Sequence, residues 1–149
     1  MPQPEQQAET PPVAVRITAL VIAHNRPALL RKCLQALEKS HQREQLEILV
    51  VDNGATGGSS ELKDEFPAVR FIPLPRNFGL TKALNIGIRS SAGEFILLLH
   101  DDIEVSPETP AGLAAVLEAQ AEVGAVCPRL LHPDGSSALQ VTKLPEPGT

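Results

Sequence analysis

Asp101 and Asp102 follow a run of five apolar residues, Phe95-Ile-Leu-Leu-Leu99, after a single histidine, His100. Adjacent carboxylates repel one another and resist desolvation, so this placement calls for a cationic partner. A hard divalent cation, Mn2+ or Mg2+, takes its oxygen ligands from one or two carboxylates plus ligand phosphates. On that chemistry Asp102 is the expected metal ligand, with Asp101 beside it; the competing reading is a capped turn. Asp52-Asn53-Gly54 ends a second apolar run, Leu46-Glu-Ile-Leu-Val-Val51. An Asp at such a position can accept from a nucleobase N–H or a ribose hydroxyl. It can equally close a turn ahead of Ser59 and Ser60, and spacing alone leaves both readings open.

Asn25 and Arg26 lie between a third apolar run and Pro27. A helix beginning at that proline offers its N-terminus to anions, and Arg26 or Arg76 could face a diphosphate. The first loop carries neither a GxGxxG nor a Walker A pattern, which weighs against dinucleotide and P-loop sites. His100 could ligate a metal or orient Asp102. His24, His41 and His132 lack zinc-type spacing. Cys33, on an apolar helix face, and Cys127, in a short apolar run, read as buried core residues.

The elements that must position these groups follow from hydrophobic patterning. Val15–Ala23 is β-branched and nearly continuous in apolar residues, the pattern of a parallel strand covered on both faces. Residues 27–39 carry Leu30, Cys33, Leu34 and Leu37 at helical spacing. Leu46–Val51 is a second strand, and a short helix is expected up to about Glu65. Ala68–Pro73 is a third strand, followed by the Asn77-Phe-Gly79 loop and a helix over Leu80–Ser90. Glu94–Leu99 is the fourth and most hydrophobic strand. Ser106–Pro110 opens a helix through Ala119, and Gly124–Cys127 reads as a fifth, short strand. The alternation predicts an α/β fold: a Rossmann-like open, mainly parallel sheet with helices on both faces. Ligands of such sheets bind beyond the carboxyl ends of the strands, at the switch in strand order. The polar clusters all follow strands, so they should share one rim.

Composition narrows the function classes. The chain has 149 residues, 42% of them apolar, and its 13 basic and 18 acidic side chains give a charge of −5. That balance suits one globular domain, expected over residues 15–143 between a disordered leader (1–14) and tail (144–149). It lacks the basic footprint of a nucleic-acid binder. The chain has no Trp or Tyr and four Phe, too few for a base-stacking platform. Two cysteines make no disulfide framework, as expected in a reducing cytoplasmic setting. No segment approaches the ~20 apolar residues of a membrane span, and Met1–Gln7 is no secretory signal.

These residues resemble the nucleotide-sugar glycosyltransferases of family 2, which have the GT-A fold, over roughly Arg16 to Gln140. Ala19-Leu-Val-Ile-Ala-His-Asn-Arg-Pro27 is similar to the family's first strand and Asn-Arg turn. Leu49-Val-Val-Asp-Asn-Gly-Ala-Thr56 resembles its VVDN(G/A)ST segment, and Asn77-Phe-Gly-Leu-Thr-Lys-Ala-Leu-Asn-Ile-Gly-Ile88 its NxGxxxAxNxGI helix. Phe95–Glu104 looks like the strand into its acidic metal motif. Val123–Leu130 and Pro133–Ser136 are similar to the rhamnosyltransferase-like branch. The resemblance implies that Asp52 recognises the donor base, that Asn25, Arg26 and Asn77 line the donor pocket, and that Asp102 holds the metal, with Asp101 beside it. It implies inverting transfer of a sugar from a nucleoside diphosphate to an acceptor hydroxyl, with the metal neutralising the leaving diphosphate.

Two residues depart from the family pattern: His100 where many members have the first Asp of Asp-x-Asp, and Gly57 where an Asp is usual. The family's catalytic base lies in a half that follows this part, and beyond Asp134 the only acidic residue here is Glu146. The expectation is therefore a truncated, donor-binding GT-A part, with membrane association only through partners. A binding module or fragment without turnover is the alternative. A nucleotidyltransferase would want a Gly-rich basic loop after the first strand, which is absent. The missing half further predicts an exposed apolar patch near residues 123–131, and association with a partner chain or with itself.

Overall fold

The computed structural model describes residues 14–54 and 59–138. Gly57, Glu146, all but Ala14 of the predicted leader and the whole predicted tail lie outside them. The described residues form two compact units, divided between Ala111 and Gly112.

The first unit is built on β1 (Ile17–Ala23), α1 (Pro27–Glu38), β2 (Leu46–Asp52), α2 (Ser60–Glu65), β3 (Arg70–Pro73), α3 (Leu80–Ser90) and β4 (Phe95–His100). A single 3-10 turn, Arg43–Gln45, leads into β2. The four strands form one sheet in the order β3-β2-β1-β4, with every pairing parallel. Ile17 pairs with Leu46 on one side and Phe95 on the other. All seven residues of β1 are buried, because it is central and covered on both faces.

The covering helices follow from crossover handedness. β1 to β2 to β3 steps one way along the sheet, and β3 to β4 steps back past β1. Right-handed crossovers then place α3 on the face opposite α1 and α2. Contacts agree: Leu20, Ile22, Leu49, Val51 and Leu74 pack with Ala83 of α3. A Cβ on Gly87 would stand 2.3 Å from Leu20 Cδ1, so only glycine lets α3 lie this close to the sheet. On the other side, α1 buries Leu30, Cys33, Leu34 and Leu37, the four positions its periodicity predicts.

The amino ends of the strands are held by a polar cluster around Glu47. Thr18, fully buried, donates to Glu47 Oε2 at 2.6 Å and accepts from Gly93 N at 2.9 Å. Arg70 donates to Glu47 Oε1 at 2.8 Å, and Ala92 N to Glu47 Oε2 at 2.9 Å. This tie joins the entry of β4 to β1 and β2 and leaves the carboxyl ends for the site.

The fold differs from the sequence reading in two elements. β4 is not buried on both faces: Ile96 and Leu98 are exposed. It is the edge strand of the described sheet, so its apolar run has a neighbour on one side. Gly124–Cys127 is not a strand; residues 122–130 have no regular structure and Cys127 is exposed, not buried.

The second unit opens within α4 (Thr109–Ala119). Its last described residues form a narrow turn where Leu131 bridges Ser137 and Asp134 accepts from Ser136 N at 2.9 Å. Leu130 and Leu131 are exposed. No helix among the described residues is long and apolar enough to cross a membrane.

Candidate functional site

The site begins where β1 stops. Asn25 takes a positive φ of 52°, a conformation Asn tolerates better than most residues, and so turns the chain sharply. Pro27 fixes the first helical position of α1, and the Arg26 carbonyl accepts from Leu29 N and Leu30 N at 3.1 and 3.0 Å. Arg26 is thereby held at the mouth of β1, beside the end of β4. This is the point where strand order reverses, between β1 and β4.

Asp101 comes directly after β4 and is fully buried. Its Oδ2 accepts from the backbone N–H of His24 at 3.0 Å, and its Oδ1 accepts from Arg26 Nη2. Asp102 is exposed and accepts from Arg26 Nη1 at 3.0 Å. One guanidinium thus bridges two carboxylates that lie 75 and 76 positions away. The Asp101 charge is foremost in raising the Arg26 pKa, so the arginine stays cationic. His100 is exposed, and its backbone carbonyl lies 4.0 Å from Cys33 Sγ. Burial pushes the Cys33 thiol up to about 12, with Asp101, Asp102 and Glu104 adding to the rise. It is therefore no nucleophile near neutral pH.

The loop after β2 is tied to itself and to its neighbour. The Asp52 side chain is buried; Oδ1 accepts from Gly54 N at 3.1 Å and Oδ2 from the Ser59 hydroxyl. In this arrangement both carboxylate oxygens close the turn. Gly54 is required by close approach: a Cβ there would lie 2.2 Å from Asn25 Oδ1 and 2.9 Å from Asn25 N. Asn25, Arg26, Asp52 and Ser59 line one narrow cleft. A separate, wider depression is lined by Lys32, Lys39, Glu104 and Pro107, and by none of the predicted site residues.

Asn77 is exposed; its Oδ1 accepts from Gly79 N at 2.7 Å, which shapes the entry to α3. The same oxygen accepts from Asn53 Nδ2 at 3.1 Å. Asn53, part of the polar Asp52-Asn53 cluster in the sequence but given no role there, is buried and organises this side. It also donates to Gly79 O at 3.3 Å and accepts from Phe78 N at 2.9 Å. Its neighbour Asp52 drew attention by its charge; Asn53 resembles any turn asparagine until the two loops meet. Arg76 stacks on the Phe78 ring at 4.9 Å.

The structure thus gathers Asn25, Arg26, Asp101 and Asp102 at the β1–β4 mouth, with Asp52 sharing the cleft of Asn25 and Arg26. Asn77 joins through Asn53. Among the described residues there is no group of three or more His, Cys, Asp or Glu side chains arranged around a metal position. The carboxylates of Asp101 and Asp102 nonetheless converge on one positive group. That donor set suits a hard cation completed by phosphate and water oxygens. Asp102 fits it best, because Asp101 is committed to His24 N.

Comparison with known proteins agrees with this architecture. An N-acetylglucosaminyltransferase of Sinorhizobium fredii is 31% identical over 109 residues, covering 70% of this chain and 26% of that protein. The chain thus spans about a quarter of that relative's length. The crystal structure of S. aureus TarS in complex with UDP matches with a TM-score of 0.63 and 22% identity, over 70% of this chain and 32% of that one. Mannosyltransferase PcManGT from Pyrobaculum calidifontis, in complex with GDP-Man and Mn2+, matches with a TM-score of 0.53 and 24% identity, over 60% and 28%. These two likenesses bear on the fold, which is of the GT-A type. The glycosyl transferase family 2 model matches residues 18–146, most of the sequence, and the chain belongs to that family.

Proposed function

We propose that this chain binds the donor of a glycosyl transfer reaction, a nucleoside-diphosphate sugar, together with a divalent cation. The observation that carries this reading is the convergence of the loops after β1, β2 and β4 at the switch in strand order. A family 2 chain with acidic, amide and guanidinium groups at that rim has the chemistry a nucleotide and its diphosphate need.

Asp52 is assigned to the base or ribose, for which it must exchange one of its turn contacts. Asn25 and Asn77 line the pocket, and Arg26 faces the diphosphate. Asp102 would hold Mn2+ or Mg2+, with Asp101 fixing the loop behind it. When bound, the cation would neutralise charge on the leaving diphosphate. The transfer itself is assigned as inverting, to an acceptor hydroxyl. No residue of this chain is assigned the general-base role on that hydroxyl.

Calorimetric titration of UDP, dTDP and GDP, with and without Mn2+, tests the reading on wild type and Asp102→Ala. Metal-dependent binding of one nucleotide, lost in Asp102→Ala, is the expected result. A folded wild-type chain that binds none of the three overturns it. Binding without sugar transfer to any acceptor would favour a module that holds the donor without turnover.

A further inference from the structure

We propose that Arg26 is an internal latch on the cation site: its guanidinium and the divalent cation exclude one another at Asp101 and Asp102. This rests on the donor-site reading above and adds how that site is regulated.

Three observations point to the latch. The guanidinium divides its nitrogens, Nη2 to Asp101 and Nη1 to Asp102. A second cation at the same carboxylates would meet it at close range and be repelled. Next, Asp101 has a side chain 1% exposed, while Arg26 is 44% exposed. The carboxylate is fixed and needs a positive partner, whereas the arginine can turn outward with little loss of packing. Finally, the two acids differ in commitment. Asp101 Oδ2 accepts the His24 N–H at 3.0 Å, a bond made by the oxygen that Arg26 does not use. Asp102 is 42% exposed and its hydrogen bond comes from Arg26. Releasing Arg26 therefore frees Asp102 as a ligand and frees a guanidinium within the cleft that Arg26 lines. A diphosphate in that cleft would draw Arg26 away and favour the cation, so the two ligands would bind cooperatively.

The test measures Mn2+ alone, without nucleotide, from the paramagnetic resonance signal of the free ion. Arg26→Gln should bind Mn2+ more tightly than wild type by at least about fivefold, the lower end of typical coupling between two sites. The gain should vanish in Arg26→Gln combined with Asp102→Asn. Equal or weaker Mn2+ binding by folded Arg26→Gln overturns the latch. Because that variant leaves Asp101 without its partner, a wild-type measurement accompanies it. The side-chain N–H resonances of Arg26 should shift from their carboxylate-bonded position to a diphosphate-bonded one at saturating Mg2+ with UDP. Resonances unmoved when UDP and Mg2+ are both bound also overturn it. UDP binding indifferent to metal, with no Mn2+ held even beside UDP, sinks the metal reading and the latch with it. Metal-dependent UDP binding with equal Mn2+ affinity in both proteins sinks the latch alone.

Discussion

The side-chain amide of Asn53 donates to Asn77 Oδ1 at 3.1 Å, so two loops 24 residues apart are fastened by a pair of uncharged side chains. One loop ends β2 and the other opens α3. The cleft wall at Asp52 and the rim at Asn77 are therefore joined through Asn53.

Asn53→Ala should loosen that junction. It removes donation to Asn77 and Gly79 and acceptance from Phe78 N. At a net ~0.5–1.5 kcal/mol per bond, the expected loss over the three bonds is about 1.5–4.5 kcal/mol of stability. Urea unfolding would show a lower midpoint with an unchanged slope. Nucleotide affinity should fall as well. Asn53→Asp keeps the acceptor for Phe78 N but sets a carboxylate against Asn77 Oδ1 and Gly79 O, so it should not rescue. A midpoint equal to wild type in Asn53→Ala would show that the loops are held elsewhere.

Gly54→Ala probes the neighbouring close approach. The new methyl would overlap the Asn25 amide and press on its backbone nitrogen. Overpacking of this kind costs about 1–3 kcal/mol. The displaced residue carries the positive-φ turn that aims Arg26, so nucleotide affinity should drop even where the protein still folds. Calorimetry on a variant with a native circular dichroism spectrum separates the two effects.

Much of this was legible in the sequence. The nearly continuous apolar run Val15–Ala23 announces a strand buried on both faces and Leu46–Val51 a second strand; the observed strands, Ile17–Ala23 and Leu46–Asp52, are almost fully buried. The span predicted for α3, Leu80–Ser90, is the span observed. The rule that loops after parallel strands share a rim gathered Asn25, Arg26, Asp52 and Asp101 correctly. The clasp of Arg26 on Asp101 and Asp102 was not legible. It depends on rotamers across 75 residues, and no periodicity records them. Glu94–Leu99 is the most hydrophobic strand in the sequence, but composition reports apolar residues, not neighbours. Standing last in the sheet order leaves Leu98 51% exposed. Gly124–Cys127 failed as a strand because four apolar residues make one only beside a partner.

Two glycines with opposite surroundings give opposite predictions. A Cβ on Gly93 would stand 2.5 Å from Thr18 N and 2.7 Å from Ile17 C, both backbone atoms of the β1 entry. Neither can give way without parting β4 from β1, so Gly93→Ala should cost about 3 kcal/mol, the upper range for overpacking. Gly112, within α4, has nothing within 4 Å of its Cβ position. Gly112→Ala should stabilise by about 0.5–1 kcal/mol through helix propensity alone. Thermal melts of the two variants should move in opposite directions from wild type; a shift in the same direction would contradict the packing described for one of them.

The two cysteines should separate by reactivity and by pH. Cys127 is exposed and Cys33 buried. Iodoacetamide at pH 8 should label Cys127 in the folded protein and Cys33 only after unfolding, which peptide mass mapping would resolve. Burial, then the charges of Asp101, Asp102 and Glu104, raise the Cys33 pKa from the ordinary 9.0 to about 12. A thiol raised on folding stabilises the native state fully below its unfolded pKa. Above it the unfolded chain has lost a proton that the folded chain keeps, so stability falls as pH rises from 9.0 toward about 12. The slope from one such group is at most about 1.4 kcal/mol per pH unit. The chain has no tyrosine to titrate in this window. Cys33→Ala should be less stable at pH 8, because it leaves a gap under the site, yet flatter between pH 9 and 11. If wild type and Cys33→Ala lose stability in parallel over that range, the thiol stays un-ionised in both states or is not enclosed as described.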